Sequence, residues 1–411
     1  MTDRRVLVCD DDVVRGQAWA DRIQKTVANE DGMSVSAVPP HEFAAALLGL
    51  EGRRIRARDV GPESVLPVSP EDVAASKRLD TADILIVDYD LTPDKDRSPD
   101  PTDDNSAVEV LTGKSGEDFI YLARYFASPK AVVVVNQEVQ AKTFDLTLQR
   151  FSNSLADVNV TAHDIGRESL WFGTGGGFAP WSWPQLATLP NRIEARIGLI
   201  KDLDQPVLEA LQLSDDDHFY SFTQGQLDPL GAEPRATSFR VMAEQSRLGP
   251  KGHDRRLLSD DGLARRVAAV VVSRWLECLV VPAQNVLVDA PHLAQRFPAI
   301  VVDDRTEAAV WNSIVASNGA LNDEALATAA TQATAWTARD VWSLPKAAEA
   351  ARALGRVPSQ PGSVFVFCED TSRFVEISSA VEFESGVQGP YVQRFVEKLE
   401  EVDYSPRGRL R

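Results

Sequence analysis

The chain has 411 residues, 44% of them hydrophobic, which is long enough for two domains and too apolar for a disordered segment. Its 61 acidic residues against 43 Lys plus Arg give a formal net charge of −18, which argues against phosphate-backbone binding and makes a nucleic-acid partner unexpected. Cys9, Cys278 and Cys368 are too few and too scattered for a disulfide framework or a thiolate metal site.

In chain order, Val6–Asp10 reads as a strand and Val14–Val27 as a helix, with Trp19, Ile23 and Val27 spaced by four. A strand over Met33–Val38 and a helix over Glu42–Leu50 follow, then a third strand at Ile84–Val87. Gly116–Phe126 is patterned as a helix, with Phe119, Leu122, Ala123 and Phe126 on one face. Ala131–Val135 is a continuous β-branched run, the mark of a strand covered on both sides. Such alternation predicts an α/β fold with a parallel sheet over residues 1–165. Two insertions interrupt it, at about 52–80 (Arg53, Arg54, Arg56 and Arg58, then prolines) and at 93–115 (rich in Asp and Pro).

Residues 166–411 differ in character and read as a mostly helical α+β module that holds seven of the eight tryptophans. Helical patterns fall around Ile193–Leu203, Gly262–Leu279, Ala308–Val315, Asp323–Trp336, Pro345–Leu354 and Tyr391–Val402. Strand-like pieces fall at Val286–Asp289, Ile300–Asp303 and Val364–Cys368. Gly175-Gly176-Gly177 lacks a phosphate-binding lysine and reads as a turn. The start runs straight into a strand with no signal-peptide pattern, and the longest apolar stretch, Val267–Val281, is interrupted by Arg274 and Glu277. A soluble cytoplasmic protein with no membrane partner is expected.

Chemistry concentrates on two strand ends. The first strand stops on Asp10-Asp11-Asp12 and the third on Asp88-Tyr89-Asp90. Parallel strands deliver such ligands to the carboxyl edge of a sheet. Carboxylates gathered there repel one another unless a cation lies among them, and their hard oxygens suit Mg²⁺. A carboxylate left over can accept a phosphoryl group.

These segments resemble the receiver domain of two-component response regulators. That family ends its first strand in an acidic pair, matched by Asp10 and Asp11, and its third in Asp-x-x-Leu-x-Pro, matched by Asp88-Tyr89-Asp90-Leu91-Thr92-Pro93. Gly116-Glu117 and Ala131–Val135 are similar in order and character. The resemblance implies a doubly wound, flavodoxin-like receiver in which Asp10, Asp11, Asp88 and the backbone carbonyl of Asp90 hold Mg²⁺. It implies that Asp88 is the phosphoacceptor, served by a histidine kinase or another phosphorelay protein, with a homodimer left open. By architecture the chain is similar to atypical receivers of bacterial phosphorelays, including those of anti-phage defence operons. It departs from the pattern at the fourth strand, where Asn136 stands in place of a Ser or Thr contacting the phosphoryl group. A further departure is the switch lysine, which Ile165–Phe172 does not supply, and Lys142 comes too early.

A haloacid-dehalogenase-type phosphatase is the alternative. Asp88-Tyr89-Asp90-Leu91-Thr92 fits its Asp-x-Asp-x-Thr motif, with Asp88 as nucleophile and Asp90 as acid/base, and Asp303-Asp304 would supply late metal ligands. A non-phosphorylated pseudo-receiver scaffold is a third reading. Elsewhere, Asp215-Asp216-Asp217-His218 reads as a helix-terminal or solvated acidic turn rather than a metal cluster, and Asp289-Ala290-Pro291-His292 as a capped turn. The histidines show no zinc-site spacing.

Overall fold

The computed structural model describes residues 4–28, 32–57, 69–91, 110–136, 154–162, 164–173, 185–245, 252–302, 306–354, 365–383, 391 and 393–397. The N-terminal part is built on β1 (Arg4–Cys9), β2 (Met33–Val38), β3 (Ile84–Asp88), β4 (Ala131–Asn136) and β5 (Val158–Thr161). These strands form one sheet in the order β2-β1-β3-β4-β5, all parallel. This is one of the two common orders of doubly wound α/β sheets, with the chain reversing direction between β1 and β3.

Alternate residues of each strand enter different cores. Val6, Val8, Ile84, Ile86, Val133 and Val135 meet Trp19 and Ile23 of α1 (Val13–Thr26), Trp171 of α5 (Glu168–Phe172), and Ile193 of α6 (Leu189–Leu199). Leu7, Cys9, Leu85, Val87, Val132 and Val134 face the opposite way. They meet Phe43 and Leu47 of α2 (Pro40–Ala57), Leu79 of α3 (Pro70–Leu79), and Phe119 and Ala123 of α4 (Gly116–Phe126). Burial on both faces explains why the strands read as continuous apolar runs. The second core continues into the C-terminal half, through Val267 and Val271 of α8 (Asp261–Trp275).

Several boundaries differ from the sequence reading. Among its described residues the insertion expected at 52–80 is mostly helical. α2 runs on through Arg53, Arg54 and Arg56, and α3 begins at a Ser69–Asp72 capping box. Arg53 and Arg54 are half-buried, whereas Arg56 is exposed. Arg54 Nε lies 3.1 Å from the buried Asp254 carboxylate, which also accepts from Tyr121 Oη at 2.9 Å. Arg53 reaches Asp80 and the Phe126 carbonyl. The fifth strand is Val158–Thr161, whereas Glu168–Phe172 is helical.

The C-terminal half mixes helices with two small sheets. One pairs β6 (Leu287–Asp289) with β7 (Val341–Ser343). The other is mixed, with β10 (Ala380–Glu382), β11 (Phe395–Glu397), β8 (Phe365–Cys368) and β9 (Arg373–Glu376) in that spatial order. Residues 395–397, expected in a helix, are therefore a strand, paired antiparallel to β10 and parallel to β8. The strand expected at Ile300–Asp303 is a short 3₁₀ turn ending at Ile300, with Val301 bridging only Leu321. The Asp323–Trp336 helix breaks into one α-turn and two 3₁₀ segments. Gly175–Gly177, Lys142 and Asp303-Asp304 lie outside the described residues. Among those described, no helix is long and apolar enough to cross a membrane.

The α2–α3 contact depends on a glycine. A Cβ at Gly49 would stand 2.1 Å from the Asp72 carbonyl oxygen and 2.7 Å from Ser76 Cβ. Helical Gly→Ala normally gains up to about 1 kcal/mol, but forced overlap with backbone costs about 1–3 kcal/mol. Gly49→Ala is expected to lower stability in urea denaturation; an unchanged midpoint would show that the two helices can separate freely.

Candidate functional site

Asp10 follows β1, Asp88 ends β3, and these strands are hydrogen-bonded neighbours in the sheet. Both acids therefore emerge at the same edge, at the point where the strand order reverses. Asp10 and Asp88 are fully buried, and the Asp11 side chain is 6% exposed. One carboxylate oxygen from each of the three lies within 4.8 Å of the others, a donor set able to hold a metal ion.

The third successive acid has a different task. Asp12 is the N-cap of α1 and accepts from the backbone N–H groups of Val14 at 2.8 Å and Arg15 at 3.0 Å. Its own N–H donates to Asp10 Oδ1 at 2.8 Å, which fixes the turn out of β1.

Arg15, which sequence reasoning missed, completes the site. Its Nη2 lies 2.6 Å from Asp10 Oδ1, 2.6 Å from Asp11 Oδ1 and 2.9 Å from Asp88 Oδ2, and Nε donates to Asp10 Oδ2 at 2.8 Å. The available signal was its place four residues after Asp11, on the first turn of a helix that follows an acid-tipped strand. Against the pull of burial, the bond to Asp10 and the charges of Asp10, Asp88 and Asp11 hold the guanidinium firmly protonated. Burial and the Asp10 charge push Asp11 up to about 7.

The other expected site residues line the same edge. Asn136 ends β4 and is 5% exposed, and Val135 before it pairs with Asp88 in the sheet. Asp90 is exposed and forms an isolated bridge with Ser115. Thr92 and Pro93 of the Asp-x-x-Leu-x-Pro run lie outside the described residues. β5 ends on Thr161, which donates to Asp164, so the described residues at that strand end bring no lysine. Gly116 opens α4 directly under Asp88. A Cβ there would stand 2.0 Å from the Asp88 carbonyl oxygen, and its N–H donates to Tyr89 O at 2.8 Å.

Both Asp-x-x-His segments are capped helix starts. Asp215 caps a short helix, α7 (Asp216–Phe219), and Asp289 caps α9 (Ala290–Arg296); each accepts from the His backbone N–H and contacts its Nδ1. His218 Nε2 is also 2.7 Å from Ser343 Oγ, giving the connectivity of a Ser-His-Asp relay. Yet Ser343 is 1% exposed, and the N–H of Leu344 beside it is taken by Val286 O at 2.9 Å, leaving no donor there for an oxyanion. This trio fastens α7 to β7. His292 instead bridges Asp289 and Glu369, which Arg394 also contacts. Against burial, Asp289 and Glu369 hold His292 above its usual range, so this is a buried ionic knot joining α9 to β8.

No protein-family model and no curated protein matches the chain.

A carboxyl whose folded pKa exceeds its unfolded value of about 3.9 takes up a proton on folding. For Asp11, stability is therefore greatest at acid pH and declines as pH rises from about 4 to about 7. In metal-free buffer the melting temperature is expected to carry this downward component across that range, and Asp11→Asn is expected to remove it. Identical pH profiles for the two proteins would contradict the assignment.

Proposed function

We propose that this chain is a receiver-type signalling protein that accepts a phosphoryl group on Asp88. The observation that carries the reading is the meeting of Asp10, Asp11 and Asp88 at the carboxyl edge of a parallel sheet ordered β2-β1-β3-β4-β5. Hard carboxylate oxygens suit Mg²⁺, and the Arg15 guanidinium already stands among all three as a cation does. Asp10, Asp11 and Asp88 would hold the ion, with the Asp90 carbonyl as the fourth protein ligand. When bound, Mg²⁺ supplies charge neutralisation for the phosphoryl oxygens.

The chain's own groups do the rest. An Asp88 carboxylate oxygen attacks the phosphorus of a phosphohistidine on a kinase or relay protein. The new O–P bond forms as the P–N bond breaks, and the imidazole leaves with the electron pair. Gly116 holds the end of β3 against α4 and so fixes the strand that carries the nucleophile. Asn136, at the neighbouring strand end, would donate a hydrogen bond to a phosphoryl oxygen. The C-terminal half, continuous with one core of the sheet, would be the output or partner-binding part. The phosphatase alternative gains no support from residues 300–302, which add no strand to the sheet bearing Asp88.

With a small-molecule phosphodonor and Mg²⁺, the wild type is expected to gain one acid-stable, hydroxylamine-labile phosphoryl group, and Asp88→Asn none. Mg²⁺ should raise the melting temperature of the wild type but not of Asp11→Asn, because the ion binds only the native state. Rapid steady-state hydrolysis of p-nitrophenyl phosphate, lost in Asp90→Asn, would replace this reading with the phosphatase.

Asn136 instead of a hydroxyl, and no lysine at the end of β5 among the described residues, leave fewer contacts that differ between phosphorylated and free states. Beryllofluoride should therefore bind at Asp88 while changing hydrogen exchange in β4 and β5 little, as suits a phosphate store or docking partner. Strong Asp88-dependent protection extending into the C-terminal half would show a working conformational switch.

A further inference from the structure

The guanidinium of Arg15 stands where a bound cation would have to stand. A single nitrogen, Nη2, touches Asp10, Asp11 and Asp88 together, and Nε takes the remaining Asp10 oxygen. A divalent ion would draw its ligands from the same three carboxylates. A doubly charged ion held by the same carboxylates would lie beside the guanidinium and be strongly repelled by it in this poorly solvated site. The two cations are therefore alternatives.

We infer that Arg15 is the resident counter-cation of this site, and that a divalent ion enters only as the guanidinium leaves. This inference rests on the reading of the acidic edge as a Mg²⁺-dependent phosphoacceptor. The route out is short. The Arg15 side chain is 31% exposed, whereas those of Asp10, Asp11 and Asp88 are 1%, 6% and 0% exposed. Its guanidinium carbon lies 5.9 Å from the Trp19 ring centroid, one turn further along α1, so an aromatic face is already at hand beside the site. Rotation about side-chain bonds moves the charge outward without displacing a helix. Arg15 thereby sets the metal affinity: it partly offsets the negative charge of the metal-free edge, and every incoming ion must compete with it.

The test is calorimetric Mg²⁺ titration of the full chain and of Arg15→Met, which removes the charge but keeps an apolar stem against Trp19. It is paired with NMR of the Arg15 Nε–H signal in the wild type, assigned by its absence from the variant. Arg15→Met is expected to bind Mg²⁺ about tenfold more tightly or better, and the wild-type signal is expected to lose its protection from solvent as Mg²⁺ saturates. Binding by the variant alone would overturn it, because no ion would then displace the guanidinium in the wild type. Equal affinities would overturn it while leaving the Mg²⁺ site standing. Tighter binding with an undisturbed Nε–H signal would also overturn it, reducing Arg15 to a nearby charge. Binding by neither protein would overturn it together with the metal-dependent reading.

Discussion

Three carboxylates brought within a few ångströms of one another, away from water, must be neutralised, and much of the N-terminal architecture follows from that requirement. Each pair of like charges at about 4 Å costs about 4 kcal/mol at an effective dielectric of 20. The total is comparable with the stability of a whole domain. A fold can relieve such repulsion with a counter-cation or a retained proton, and Asp11, raised to about 7, supplies part of the second. Arg15 meets the requirement from within, and it can do so because α1 starts immediately after β1, at a cap formed by Asp12. The turn that places the acids thus also places the base that offsets them.

The rest of the sheet serves this edge by immobilising it. β1 and β3 are covered on both faces, so neither strand end can relax toward solvent. One of the two cores does not stop at the N-terminal helices but runs into α8 and beyond. The buried Asp254 carboxylate strengthens that junction by receiving both Arg54 of α2 and Tyr121 of α4. A buried carboxylate with two donors from different helices fixes their relative placement, since either donor lost would leave the charge undercompensated.

What the sequence made legible is what depends on local pattern. Continuous β-branched runs revealed β3 and β4, and periodic apolar residues revealed α1 and α4, because burial on both faces or on one helical stripe writes directly into residue order. The acid-tipped strand ends pointed to Asp10, Asp11 and Asp88, and the sheet brings those three together. What stayed hidden depends on partners distant in sequence. The arginines of α2 read as part of an insertion because Asp254, two hundred residues away, could not be seen beside Arg54. β11 looked helical because a three-residue strand takes its identity from the β8 and β10 edges it pairs with. Arg15 was passed over because a cation on a first helical turn is ordinary until two strand ends are placed next to it.

Gly116 gives α4 a mechanical character. The helix begins in van der Waals contact with the carbonyl of Asp88, with no side chain to cushion the contact, and five residues later its Tyr121 hydroxyl grips Asp254. A helix rises about 1.5 Å per residue and is stiff over so short a span. α4 is therefore a strut seated at one end on the acidic edge and pinned midway along its length, at Tyr121, to the C-terminal half. With no slack at its seat, any shift of the β3 tip is borne by the strut as a whole.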